Sequence, residues 1–134
     1  MSWSMLEQDQ DIISKALSAA KQAGADGADV SFIKGGGQDV QVRLGKVESA
    51  ERAEDYQMGM RVFVGQRSAT ISSGQLDDKN ITQLAERAVA MARHAPENPY
   101  ARLATAEEQA KSFPEIELYD DTGFSTDKLT EIAL

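Results

Sequence analysis

Residues Met58-Gly59-Met60-Arg61-Val62-Phe63-Val64-Gly65 alternate in a way that suits an extended chain. Met58, Met60, Val62 and Val64 share one parity, and in a strand that means one face. Phe63 adds apolar surface on the opposite side. Apolar groups on both faces predict a strand inside a sheet, not at its rim.

The flanking residues supply further strands. Residues 28–34 carry Val30 and Phe32 on one parity and predict a first strand. Gly35-Gly36-Gly37 reads as a flexible hairpin turn that ends it. Residues 39–44 alternate, with Val40, Val42 and Leu44 on one face. Gly45-Lys46 predicts a tight turn into a polar strand over 46–54, around Val47, in an exposed part of the sheet. Gly65-Gln66 then turns the chain into a strand over 68–73, centred on Ala69 and Ile71. Connections this short admit no crossover helix, so the strands must pair antiparallel.

A helix is predicted on each side of this set. Residues 6–23 place Leu6, Ile13, Leu17 and Ala20 on one side, with Ala16 and Ala23 nearby, and Asp9, Asp11, Lys15 and Lys21 on the other, with Gly24 as the stop. Asp77 or Asp78 caps the second helix, whose stripe is Ile81, Leu84, Ala85, Ala88, Val89 and Ala92, and Pro96 prevents its continuation. The expected fold is α+β: an antiparallel meander of about five strands with two amphipathic helices packed on one face. That domain spans residues 1–95. An extended connection follows over 96–125, where Thr105-Ala106-Glu107-Glu108 suits the start of a short helix and Phe113-Pro114 with Ile116-Leu118-Tyr119 an extended segment that packs. Ser125 or Thr126 caps a further helix over 126–134, which stops in mid-pattern, as the front of a longer protein would.

Charge narrows the function classes. The 134 residues hold 14 Lys and Arg against 22 Asp and Glu, a net charge of −8, with signs interleaved. Nucleic acid and anionic membrane surfaces both call for clustered cations, so neither is expected as a partner. No apolar run reaches transmembrane length, and Met1 to Glu7 lacks the basic and apolar parts of a signal peptide. The expected location is cytoplasmic. With no cysteine and one histidine, His94, the chain holds no zinc ligand set of the usual kind, and His94 suits a helix C-terminus. Asp77-Asp78 and Asp120-Asp121 read as a cap and a polar loop rather than a calcium site. No serine lies in a nucleophile elbow, and no two acids stand out as a catalytic pair. Catalytic and metal residues are therefore expected to be none. Arg43, Arg52, Arg61 and Arg67 fall in the strand region. Arg43 and Arg61 are the candidates for contacting a peptide carboxylate or an acidic partner; the alternative is pairing with Glu48, Glu51 or Glu54 on a neighbouring strand.

Several short stretches, in order, carry a resemblance. They are Ala23-Gly24-Ala25-Asp26 with Ala28-Asp29-Val30, Gly45-Lys46-Val47-Glu48, Gly59 to Gly65, and the alanine-rich Leu84 to Ala92. Ala95-Pro96-Glu97-Asn98-Pro99-Tyr100-Ala101 and Leu118-Tyr119-Asp120 complete the set. The chain resembles the N-terminal domain of the TldD–PmbA family, in its PmbA (TldE) branch. The resemblance implies a cytoplasmic two-subunit zinc protease, TldD with TldE, that trims unfolded peptides; family members are linked to peptide-antibiotic maturation and antitoxin turnover. The family's zinc motif, two histidines with an intervening glutamate, belongs to TldD and has no match here. The resemblance thus implies a non-catalytic subunit, no cofactor in this chain, zinc in a TldD-like partner, and a homo- or hetero-oligomer. The family's older label, modulator of DNA gyrase, meets no nucleic-acid-binding feature in this sequence. The other reading is a non-enzymatic interaction or dimerisation module.

Overall fold

The computed structural model describes residues 7–134. Leu6 and the stretch Met1 to Leu6 lie outside the described residues. The element order is α1 (Glu7–Gln22), β1 (Gly27–Arg43), β2 (Lys46–Val64), β3 (Arg67–Ser73), α2 (Asp78–His94) and α3 (Thr126–Ala133). The sheet has three strands in the order β1-β2-β3. The α+β class and the antiparallel meander hold; the expected count of about five strands does not.

The reason lies at Gly35-Gly36-Gly37. These glycines do not turn; they run through β1 as extended backbone. The two short runs on either side of them are one strand, laid along a β2 of 19 residues. A Cβ on Gly36 would stand 3.5 Å from the Ala53 carbonyl oxygen, so the ribbon is closely paired there. The predicted polar strand and the Met58 strand likewise merge into β2. Thr105 to Glu108 forms a turn rather than a helix. Phe113, Ile116 and Leu118 are exposed within the chain instead of packed.

The chain divides into two compact units, Met1–Ile33 with Tyr56–Glu108, and Lys34–Asp55 with Gln109–Leu134. The first holds the core. Met58, Met60 and Val62 are buried on one face of β2, and they share a cluster with Ala16 and Ala20 of α1 and with Ile81, Leu84, Ala85, Ala88, Val89 and Ala92 of α2. The α2 stripe is thus the predicted one. The α1 stripe is rotated: Asp9 is buried, while Leu17 is 39% exposed. Asp9, Ala16 and Ala20 follow one another at helical spacing, and the small alanines let the helix backbone approach its neighbours closely. A Schellman stop ends α1, with Gly24 N–H donating to Lys21 O at 3.1 Å and Ala25 N–H to Ala20 O at 3.0 Å. Gly24 has the positive φ of 101° that this motif requires. Asp77 caps α2 by accepting from Asn80 N–H at 3.1 Å. These hydrogen bonds hold the Asp77 carboxyl below its ordinary value.

The second unit holds the outer part of the β1–β2 ribbon and α3, capped by Ser125. The ribbon turns one residue earlier than expected, at Leu44-Gly45. Leu44 has φ 50° and Gly45 φ 71°. Two positive values in a two-residue loop are the signature of a type I′ turn, which favours Asn-Gly. Leucine pays for this conformation with its Cβ. Leu44→Asn is expected to raise stability by roughly 1 kcal/mol, read as a higher denaturant midpoint at unchanged m-value.

Candidate functional site

One face of the central strand carries the core residues Met58, Met60 and Val62; the other is accessible at Arg61 and covered at Phe63, which is 5% exposed. On that second face β2 carries Gly59, Arg61 and Phe63, which stand opposite Ser72, Thr70 and Ser68 of β3. Asp29 and Ser31 of β1 lie on the other flank. Arg61 grips Asp29 with two donors, Nε to Oδ1 at 3.0 Å and Nη2 to Oδ2. Its guanidinium carbon sits 5.2 Å from the centre of the Phe63 ring. The carboxylate raises the Arg61 pKa, so the cation is permanent. Both side chains stay accessible, at 48% and 45% exposure.

These groups line a shallow depression of about 340 Å³ formed by Asp29, Val30, Ser31, Gly59, Arg61 and Thr70. A Cβ on Gly59 would come within 2.9 Å of Ser31 Oγ, so any side chain there would fill the floor. The depression offers an oriented guanidinium with two hydroxyls beside it. Two of the five N–H donors of Arg61 are spent on Asp29, and the others can meet a carboxylate or a peptide carbonyl.

Arg43, the other candidate, is the last residue of β1 and reaches Glu48 at 3.5 Å. Arg61 is in the first unit and Arg43 in the second. Arg52 pairs with Glu54 at 2.9 Å. Pairing with a neighbouring acid therefore occurs at each of these arginines, but the partner of Arg61 is Asp29, which sequence reasoning did not single out. Arg67 donates to the Ala95 carbonyl beyond the end of α2 and to Glu97 at 3.3 Å. His94 is the exposed last residue of α2.

Polar ties gather at the β2–β3 turn. Asp26 N–H donates to Phe63 O at 2.8 Å, and its carboxylate accepts from Gly65 N–H at 2.7 Å. Asn98 N–H donates to Gln66 O at 2.7 Å. Just beyond, Leu103 lies over Gly27, where a Cβ would meet it at 3.3 Å, with the Phe63 ring alongside. Arg102 holds this segment by two bonds to Glu108 at 2.6 and 2.7 Å, and Thr105 N–H adds a third at 2.8 Å. They pull the Glu108 carboxyl down to about 2. A depressed carboxyl stabilises the fold above its unfolded pKa of about 4.3. That contribution fades as pH falls from there through about 2. A carboxyl-carbon NMR titration is expected to show Glu108 still ionised at pH 3; an ordinary midpoint would mean the clamp is open in solution.

Among the described residues, no three His, Cys, Asp or Glu come together to hold a metal ion. Among the described residues, no helix is long and apolar enough to cross a membrane.

Residues 28–92 match the model of the PmbA/TldA metallopeptidase domain 1. The chain belongs to the PmbA/TldA metallopeptidase family. It is 33% identical over 122 residues to the metalloprotease PmbA homolog of Haemophilus influenzae, covering 91% of this chain and 27% of that protein. It is 30% identical over 133 residues to metalloprotease PmbA of Escherichia coli O157:H7, covering 97% of this chain and 30% of that protein. The PmbA-type chain thus spans less than a third of these relatives. Two solved structures share the fold. A candidate modulator of DNA gyrase from Bacteroides thetaiotaomicron matches at TM-score 0.78 and 18% identity, over 87% of this chain and 26% of that one. TldE from Thermococcus kodakarensis matches at TM-score 0.65 and 12% identity, with the same coverage.

Proposed function

We propose that this PmbA-family first domain is the N-terminal part of a non-catalytic, TldE-like subunit in a cytoplasmic TldD–TldE zinc metalloprotease that processes unfolded peptides. The observation that carries the reading is the family match over residues 28–92, joined to PmbA relatives aligned along nearly the whole chain. In this reading zinc and the peptide-cleaving groups belong to the TldD-like partner. The domain contributes a wall of the chamber that receives peptide.

The sheet supplies two means of holding an extended peptide. β1 and β3 are its edge strands. An edge offers main-chain hydrogen bonds, which accept any sequence. The other face of β2 adds Arg61, with Arg43 on the ribbon as the second candidate contact. The test is co-expression of the full-length protein with a TldD-like subunit, followed by purification and a zinc-dependent peptidase assay. A stable complex is expected, with activity falling to background when the PmbA-like subunit is left out. A TldD-like subunit fully active alone, with no complex formed, would leave the interaction-module reading in its place.

A further inference from the structure

Gly59 lies inside β2 and is not one of the positive-φ glycines, which among the described residues are Gly24, Gly45 and Gly65. Its backbone would suit other residues, and glycine weakens a strand. What glycine supplies here is space: a Cβ would stand 2.9 Å from Ser31 Oγ. A bare position inside a strand marks a place where another backbone can come close. Around it stand Asp29 and Ser31 of β1, Arg61 of β2 and Thr70 of β3, in the depression of about 340 Å³.

The charges of this depression cancel. Asp29 accepts from Arg61 Nε at 3.0 Å and also from Nη2. A free carboxylate would meet a guanidinium already neutralised, on a chain whose net charge of −8 repels it. A cation would meet the guanidinium itself. Yet the pair keeps hydrogen-bonding capacity of both kinds, because both side chains are about half exposed. Arg61 has N–H donors beyond the two it gives Asp29, and the Asp29 oxygens keep lone pairs. A neutral group with a donor and an acceptor side by side uses both. In an extended chain the N–H and C=O of one residue point to the same side, which is how facing residues exchange two bonds in an antiparallel pair.

We infer that the Arg61–Asp29 pair is a clamp for one residue of an extended peptide: the C=O accepts from Arg61, the N–H donates to Asp29, and the backbone lies over Gly59 beside the Ser31 and Thr70 hydroxyls. The inference rests on the peptide-processing reading above and sharpens it. The contact is to main chain within a peptide, not to its terminal carboxylate, so binding is indifferent to side chains and to where the peptide ends.

The test measures peptide affinity of the full-length protein by calorimetry, alone and with the TldD-like subunit, in the presence of a chelator so that nothing is cut. The probe is an unstructured peptide without Asp, Glu, Asn or Gln, used once with both ends blocked and once as the free acid. Wild type is expected to bind the blocked form at least as tightly as the free acid. Asp29→Asn keeps the shape of the pair and should leave the melting midpoint nearly unchanged. It removes the charged acceptor, and is expected to weaken binding of the blocked peptide about tenfold. A carboxylate site behaves in the opposite way: wild type prefers the free acid, and Asp29→Asn, which leaves Arg61 uncompensated, tightens it further. That pattern overturns the clamp, as does an Asp29→Asn protein with wild-type affinity for the blocked peptide, or a wild type that does not bind it. The two-subunit reading is judged separately, by whether the complex forms. A complex without the expected loss leaves that reading standing and removes the clamp alone.

Discussion

Met60→Asp is expected to leave the first unit unfolded at room temperature, while Met60→Ala leaves it folded but weakened by about 3 kcal/mol. Met60 is fully buried in the C-terminal part of β2, opposite Ile71 of β3, in the cluster that α1 and α2 complete. A carboxylate there would lose its hydration without gaining a partner, at a cost of several kcal/mol. Domain stabilities are only about 5–15 kcal/mol, so the lost packing and the stranded charge together consume most of the margin. Urea unfolding followed by circular dichroism gives the comparison. A loss well under 1 kcal/mol for Met60→Ala would mean that this face of β2 is not the core.

Arg61→Met is expected to separate function from stability. The Arg61–Asp29 pair is about half exposed on both sides. Such pairs contribute roughly 0–1 kcal/mol, so the melting midpoint should barely move. In the reconstituted complex, loss of a charge-assisted contact to peptide should lower kcat/KM about tenfold or more, mostly through KM. Arg61→Lys should recover little of this, because an ammonium cannot keep the two-point grip on Asp29 and also present its remaining donors in one plane. The two measurements are a thermal melt and steady-state kinetics on an unstructured peptide. Wild-type kinetics in Arg61→Met would reduce Arg61 to a cross-strand partner of Asp29.

The candidate site was half legible. Arg61 stood out because a charge interrupts the most apolar strand. Asp29 did not, because it lies 32 residues away and looks like any other acid near a strand start. Which acid meets Arg61 depends on strand register, and register depends on where the ribbon turns. Moving a two-residue turn from Gly45-Lys46 to Leu44-Gly45 shifts every cross-strand partner by two positions, which keeps each residue's face but changes which side chain stands opposite it. The same long-range pairing hid the true strand count. Three consecutive glycines look like a break when read locally, yet a neighbouring strand can hold them extended.

Local chemistry was enough for features whose cause is local. The Met58 to Val64 alternation, the α2 stripe, the Asp77 and Ser125 caps and the Gly65-Gln66 turn each depend on residues within one or two turns of chain, and each is present. The order of the family motifs was equally readable, and with it the family. Tertiary structure alone decided the rest: which side of α1 faces inward, that Asp29 holds Arg61, and that Leu44 ends up left-handed and exposed at a ribbon tip. Each of these is settled by what a distant segment brings alongside, and sequence spacing carries no record of that distance.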